Sequence, residues 1–514
     1  MTPRHDGTAA SPSPSRGGLG WGWGKGSGFG SSAHAPHPPP GLPLEGGGAG
    51  NSIAAAATLA ALAIAGGALS ALAPWWLALG AFAAMAVGLA ILASPYFGLM
   101  LTLALAAQAI PGAPIPALPL GGALVQPAEL ALLATLAAAA VHVLLDGRMP
   151  AASGERAGGF DLRFAALALF TFAALGLSFA ASAYLMGQRD FAFPVLRNFL
   201  PLALLPLLPR LLPDRRRVEL TERLLIAFGV LIALFIAVQA FADVQLLSGR
   251  FEDLGLEQTT GVTRTVLWGP ELLIILALLL IGRRGAKFAL SHVWPLPAAA
   301  ILLLGLMGTY TRTFWIATVI CVALLTLLTA GARGCLRLAA VIVPATIVVW
   351  AAVYAASPRI GEAALDRAFG IGREIESGDS FGWRGKENAM AMESIAKHPL
   401  LGIGFDGVYK KTISTRGHFA GEETYIHNAY LYFQLKMGLL GSLVLAAFLL
   451  LYLRLMAAAA AIPDARDRTS ALCHGVLGVA IMLIGYSGQT VSRFVTLLII
   501  CLMFTLMRFY AARH

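Results

Sequence analysis

Apolar residues run along most of this chain in long blocks separated by short polar joints. The blocks occupy residues 53–72, 75–93, 97–110, 128–145, 162–185, 198–212, 224–242, 266–281, 294–309, 314–330, 338–355, 429–457, 471–485 and 494–507. A helix needs ~20 apolar residues to cross the hydrocarbon of a bilayer, and several blocks fall short of that, so roughly twelve to fourteen crossings are expected. The expected fold class is all-α, a polytopic membrane helical bundle. The least regular blocks are 97–110 and the one holding Pro201 and Pro206. One interruption differs from the rest. Residues 357–428 are polar, rich in both signs of charge, and far longer than an ordinary joint. A connection of that length is uncommon unless it folds or functions. Within it, residues 382–397 are expected as a short helix along the membrane surface, with Trp383 at the interface. Pro399 drives His398 out of helical geometry, and Gly402 and Gly404 permit a tight turn close to another backbone. The chain therefore divides into residues 1–50, an amino-terminal bundle over 51–356, a polar loop domain over 357–427, and carboxy-terminal spans over 428–514.

Composition sharpens this picture. The chain is 58% hydrophobic and only 12% charged, whereas a soluble domain carries about a quarter charged residues. Residues 1–50 are Gly, Pro, Ser and His in low-complexity order and cannot bury a core, so disorder is expected there. No apolar run followed by a small-residue cleavage site marks that segment as a secretory signal. His34 and His37 lie within it and could suggest metal binding, but no metal site is expected there. The four cysteines, Cys321, Cys335, Cys473 and Cys501, lie outside the polar loop and read as packing residues, not a disulfide framework or a zinc site.

The net charge of +10 is first an orientation signal, not a nucleic-acid footprint. Arg215, Arg216 and Arg217, Arg283 with Arg284 and Lys287, Arg333 with Arg337, Arg466 with Arg468, and Arg508 with Arg513 share one side if the blocks alternate. That side is expected to be the cytoplasm, with both termini on it. The opposite side receives the long loop, which is then periplasmic or extracellular. ATP and nucleotide sugars are absent there, so chemistry at the loop needs an activated substrate already in the membrane.

Three side chains converge on that outer face from distant parts of the sequence. Arg264 in GVTRTVLWGP precedes one span, Arg312 in GTYTRTFW stands between two others, and His427 opens the span after the loop. Arginine forks match phosphate oxygens and never lose their charge, while histidine takes a proton near neutral pH. Together they suit a lipid pyrophosphate donor and a hydroxyl acceptor. Each has a plainer reading alone: an Arg at a helix end anchors the interface, and a His at a helix start is a surface residue. Asn428 is an N-cap residue by type and also a substrate-contact candidate. Arg384, Lys386 and Arg189 are further substrate-contact candidates, Arg197 lies near the same boundary, and Glu422 and Glu423 are carboxylates on a solvated loop. No His, Cys and carboxylate cluster on this face has metal-ligand spacing.

HPLLGIGFDGVY (398–409) followed by YIHNAYLYFQLKMGLLG (425–441) resembles the signature of the O-antigen ligase and polymerase family, HP-x-x-G-x-G and then HN-x-x-L with a downstream Gly-x-x-Gly. TYTRTFW resembles that family's Ser-Arg-Gly-like turn, reading Thr-Arg-Thr here. The Asn-Pro-Asn-like element after the first arginine is replaced by Trp268-Gly269-Pro270, which weakens the transfer to Arg264. The resemblance covers residues 310–441. It implies a GT-C-like helical bundle and an inverting glycosyltransferase that takes a glycan from undecaprenyl pyrophosphate at the periplasmic face of the bacterial inner membrane. It implies His427 as activator of the acceptor hydroxyl, Arg312 and Arg264 as pyrophosphate ligands, and no metal, cofactor or nucleotide sugar. The acceptor divides the family: lipid A core for a ligase, another lipid-linked repeat for an O-antigen or exopolysaccharide polymerase, or a protein for an O-oligosaccharyltransferase. The rival of another class is a multi-span transporter, which places charges near the bilayer midplane. Here the notable charges stand at span boundaries, Glu129 and Glu271 among them.

Overall fold

The computed structural model describes residues 75–514 apart from 111–117, 121–122, 147–160, 188–191, 243, 245, 248–249, 254–262, 268, 284–294, 370–379 and 411–422. Two compact units are distinguished, Met1–Leu79 and Gly80–His514. Of the first, only the opening of helix α1 (Trp75–Ala93) lies within the described residues; all later elements belong to the second.

Helices dominate, and their starts are written in the sequence. Ser94 accepts the Phe97 N–H and Pro95 opens α2 (Pro95–Ala106). Glu129 reaches back to the Gln126 N–H at 2.9 Å and starts α3 (Pro127–Asp146). Asp161 caps α4 (Leu162–Leu185). The block at 198–212 is not one helix but α5 (Ala192–Phe199), a 3₁₀ turn (Leu200–Leu204) and α6 (Leu208–Leu211). Pro201 and Pro209 stand within these pieces and Pro206 between them, and proline removes the N–H that would continue a helix. Then come α7 (Arg215–Ala242), α8 (Glu271–Gly282) and α9 (Pro295–Gly308). The joints before α3 and α8 contain short antiparallel ribbons that the hydrophobic pattern does not announce. These are β1 (Leu118–Leu120) with β2 (Ala123–Val125), and β3 (Arg250–Asp253) with β4 (Thr263–Val266).

The blocks 314–330 and 338–355 form the two helical arms of α10 (Arg312–Ala356), which is interrupted at Gly331, where φ is 69°. Its two halves fold back on each other, since Val353 near its end is buried with Tyr310 just before its start. α11 (Pro358–Phe369) joins the same small cluster through Ile360 and Ala364. After α12 (Ser380–Lys397), the block 429–457 proves to be two helices, α13 (Ala429–Met437) and α14 (Leu439–Ala460), divided at Gly438. α15 (Ala465–Ser487), capped by Asp464, and α16 (Phe494–Ala511) complete the bundle.

Among the described residues, seven helices are long and apolar enough to cross a membrane: α3, α4, α7, the first part of α10, α14, α15 and α16. Shorter apolar helices, including α2, α8 and α9, pack among them. α8 and α16 are buried nearly all round, which makes them the centre of the bundle. Leu144, Leu169, Leu177, Val319, Val348 and Leu450 point outward as an apolar surface suited to lipid. Small residues let the central helices approach: a Cβ on Gly305 would collide with Ala233, and one on Gly229 with the Leu273 carbonyl.

The basic helix ends gather at one end of the bundle. Arg215 meets Asp467 at 3.2 Å, and Arg283 donates to Glu222 and to Ser470 at 2.8 Å. His474 and the Tyr510 hydroxyl also lie on the Glu222 carboxylate, at 3.1 and 2.8 Å. Four helices are thereby tied together by one buried ion pair whose lone pairs are met by hydrogen bonds. His427 and Arg312 lie at the other end.

Candidate functional site

The site is built on the opening of α13. Asn428 accepts the Tyr430 and Leu431 N–H groups at 3.0 and 3.3 Å, so it caps the helix and fixes the residue before it, His427. His427 is buried (6% exposed). Its backbone N–H donates to Glu387 Oε2 at 3.1 Å, and its Nδ1 lies 3.2 Å from the same oxygen. Glu387, on α12, is fully buried (0% exposed) and its other oxygen pairs with the Lys410 ammonium. The Tyr409 hydroxyl, which donates to the Tyr425 carbonyl at 2.8 Å, lies near enough to this carboxylate to feel its charge. The Tyr425 ring meets the His427 ring edge to face, 4.7 Å between centroids.

The electrostatics follow from this packing. Burial pushes the His427 imidazole below its usual range; Glu387 opposes that, and the positive charges of Arg384 and Lys410 reinforce it. Burial alone would raise the Glu387 carboxyl, but His427 and Lys410 more than offset it and hold the group below the usual carboxylate range. At neutral pH the arrangement is a neutral imidazole beside an ionised carboxylate. Since a carboxylate only accepts, Nδ1 carries the proton and Nε2 the lone pair. Such a ring is equipped to take a proton from a hydroxyl.

The segment 398–410 is fastened to the break between α13 and α14. The Ile403 N–H donates to the Leu435 carbonyl at 2.8 Å, Gly404 N–H to Lys436 at 3.2 Å, and Leu439 N–H to Leu400 at 3.1 Å. Gly402 (φ 67°) and Gly438 (φ 58°) lie back to back: a Cβ on either would enter the other segment's backbone at 2.6 Å or less. The buried Lys436 ammonium donates to the Gly407 carbonyl at 2.9 Å. The turn glycines of the HPLLGIG stretch thus make a clasp that carries Tyr409 and Lys410 to Glu387.

Arg312 is the first residue of α10, and its turn is closely specified. Tyr310 sits at φ 44° and is fully buried, Thr311 Oγ donates to the Thr309 carbonyl at 2.8 Å, and Trp315 Nε1 reaches back to Leu306 at 2.7 Å. The next residue, Thr313, meets Ser487 at 3.0 Å at the end of α15. That same end of α15 holds the start of α13, because the Tyr430 hydroxyl donates to the Met482 carbonyl at 2.8 Å. Arg312 and His427 therefore stand at one end of the bundle. A guanidinium at a helix N-terminus opposes the helix dipole, a combination that favours an anion between them.

Of the remaining expectations, Arg384 lies close enough to act on His427, whereas Lys386 is exposed on another face of α12. Arg264 lies in β4 opposite Glu252, and the following Gly269 packs on the first turn of α16 against Val495 and Thr496. Its side chain, like Arg189, Glu422 and Trp383, lies outside the described residues. Arg197 pairs with Glu129 at 3.5 Å and with the Leu124 carbonyl at 2.6 Å, and Glu271 caps α8 by accepting the Leu267 and Gly269 N–H groups. Three residues were missed in the sequence: Glu387, Lys410 and Arg493. Arg493 is the N-cap residue of α16 at this end, acts on Tyr432, and has no carboxylate partner among the described residues. A signal for Glu387 did exist: it stands four and eight residues before the buried Ala391 and Ile395, on the apolar stripe of its helix.

A largely apolar cavity of about 210 Å³ opens beside Tyr430, lined by Phe433, Phe448, Tyr452, Met482 and Phe504 among others.

Residues 297–446 match a family model described as O-antigen ligase. The match runs from α9 into α14, contains Arg312, Glu387, Lys410 and His427, and leaves Arg264 and Arg493 outside. No curated protein matches the chain.

Proposed function

We propose that this chain, a multi-span membrane protein with an O-antigen ligase family domain over residues 297–446, is a glycosyltransferase that moves a glycan from a polyprenyl-pyrophosphate carrier to an acceptor hydroxyl. The observation that carries this reading is the buried His427, held neutral and aligned on Glu387 at the bundle end that also bears Arg312. In the reaction, the acceptor oxygen attacks the anomeric carbon and its proton passes to His427 Nε2. The bond from that carbon to the pyrophosphate oxygen breaks, with inversion, as expected for a single displacement. Arg312 neutralises the departing pyrophosphate, with Arg264 and Arg493 as further ligands from the adjoining β4 and α16. Arg384 would meet the sugar or phosphate side, with Lys386 and Arg189 as further contacts. The apolar cavity beside Tyr430 accommodates a segment of an isoprenoid chain, which supports a lipid-linked donor.

The site faces the periplasm of the bacterial inner membrane in this reading. Its end of the bundle is opposite the one where the basic helix ends gather. The family domain favours a glycan transferase over a transporter. Lipid A core and a second lipid-linked repeat are the acceptors the domain brings into view, giving a ligase or a polymerase respectively. The reading is tested by glycan transfer from a lipid-linked donor with purified protein in EDTA, comparing wild type with His427→Ala. Arginine in place of a metal predicts full wild-type activity in chelator, and the histidine predicts loss in the variant.

A further inference from the structure

The transfer reaction calls on His427 but leaves Glu387 and Lys410 without a part in it. Their geometry is too specific for a general surface contact. An ionised carboxylate with no solvent exposure is costly unless its oxygens are met. Here one oxygen takes both the backbone N–H and the ring Nδ1 of His427, at 3.1 and 3.2 Å, and the other takes the Lys410 ammonium. The main chain and the ring of one residue are thus referenced to a single atom, which fixes the imidazole in orientation as well as in tautomer.

We infer that Glu387 is the positioning residue of the transfer site, holding His427 with its proton on Nδ1 and its lone pair on Nε2, and that Lys410 tunes the basicity of His427 through Glu387. This rests on reading His427 as the base. As the acceptor proton reaches Nε2, His427 becomes an imidazolium whose Nδ1–H already faces a carboxylate, so the new charge is stabilised without movement. Lys410 acts in the opposite direction. It anchors Glu387, and its positive charge competes with the imidazolium for the carboxylate. The clasp at Gly402 and Gly438 delivers Lys410 to that position, so folding of the loop and readiness of the base are linked. Among the described residues, the charged or titratable groups facing His427 include Glu387 and Arg384 from α12, Lys410 and Tyr409 from the clasp segment, and the ring of Tyr425.

A purely structural clasp and a tuned base differ in how turnover depends on pH. The protonated imidazole is inactive, so the acidic limb of the profile follows His427. Removing a neighbouring opposite charge lowers a histidine's proton affinity, and removing a like charge raises it. For a charge within ~4–6 Å, a shift of roughly one to three pH units is the usual range. Full-length protein assayed with a lipid-linked donor should therefore show Glu387→Gln with its acidic limb at lower pH and maximal turnover reduced about 10–100-fold, the usual scale for losing a residue that orients a working histidine. Lys410→Met should move the limb the other way, to higher pH. Limbs unmoved in both variants would overturn the inference and leave a packing contact only. Should either single variant fail to reach the membrane, Glu387→Gln/Lys410→Met removes both buried charges together. Its limb should return towards wild type while turnover stays low, and wild-type turnover in it would overturn the inference equally. His427→Ala in the same assay separates the two levels. An active His427→Ala protein ends the base assignment, and this inference with it. An inactive one, with unmoved limbs in the other variants, ends the positioning role alone.

Discussion

Arg312 shows how a residue's chemistry is set by the few atoms around it. Its turn is locked by Tyr310 in a left-handed conformation, by the Thr309–Thr311 hydrogen bond and by the Trp315 indole, so the guanidinium starts from a fixed point at a helix N-terminus. A point charge there would meet an anion, but a planar fork meets two phosphate oxygens at once. Arg312→Lys should consequently weaken binding of the lipid-linked donor and slow transfer, each roughly 10-fold or more if one charge-assisted bond of about 1.5–3 kcal/mol is lost. Measuring both at matched protein levels checks this; a lysine variant indistinguishable from wild type makes Arg312 an interface anchor. Arg312 and His427 are conspicuous in the sequence because each breaks an apolar context. Glu387 is less so: it lies among Arg384, Lys386 and Asn388, and only its helical spacing to Ala391 and Ile395 sets it apart from these polar neighbours. The polar loop announced that it does something, but not which of its carboxylates faces inward.

At the scale of elements, the docking of segment 398–410 on the α13–α14 break decides whether the site exists. The pattern of apolar positions runs unbroken from 429 to 457 and reads as one helix. The chain breaks it because Gly438 adopts a positive φ that brings its backbone against Gly402. Periodicity cannot reveal such a break, since both halves remain apolar; the turn glycines on the far side of the loop were the visible trace. The same limit applies at 198–212, where prolines divide the block, whereas the break at Gly331 falls between the blocks 314–330 and 338–355 that the pattern already separates. A methyl group at Gly402 would sit 2.6 Å from the Leu435 carbonyl and would also strain a φ of 67°. Strain of this kind costs about 1–3 kcal/mol. Gly402→Ala should then leave the protein in the membrane but release the clasp, with transfer lost and the 398–410 segment newly open to protease. A Gly402→Ala protein with normal transfer and unchanged protease resistance would show that the clasp does not support the site.

For the whole molecule, the two ends of the bundle carry opposite assignments. One end is tied by Glu222, Arg283, Ser470 and Tyr510 and bears Arg215; the other presents His427, Arg312 and Arg493. The all-α membrane architecture was legible from block length and low charge alone. Arg215 and Arg283, expected on one side, do meet at one end. Sidedness follows if the basic end is cytoplasmic. Alkaline phosphatase fused after Thr415 should be active and after Arg468 inactive; the reverse pattern would invert the protein in its membrane and separate the site from a periplasmic donor. The most direct test of glycan transfer at this site remains turnover by His427→Ala in purified, chelator-treated protein supplied with lipid-linked donor and acceptor. A base at this position predicts a loss of roughly 10²–10⁴-fold, with donor affinity nearly unchanged. Near-normal turnover in that variant would contradict the assignment and return His427 to the role of a buried residue that only helps to pack the start of α13.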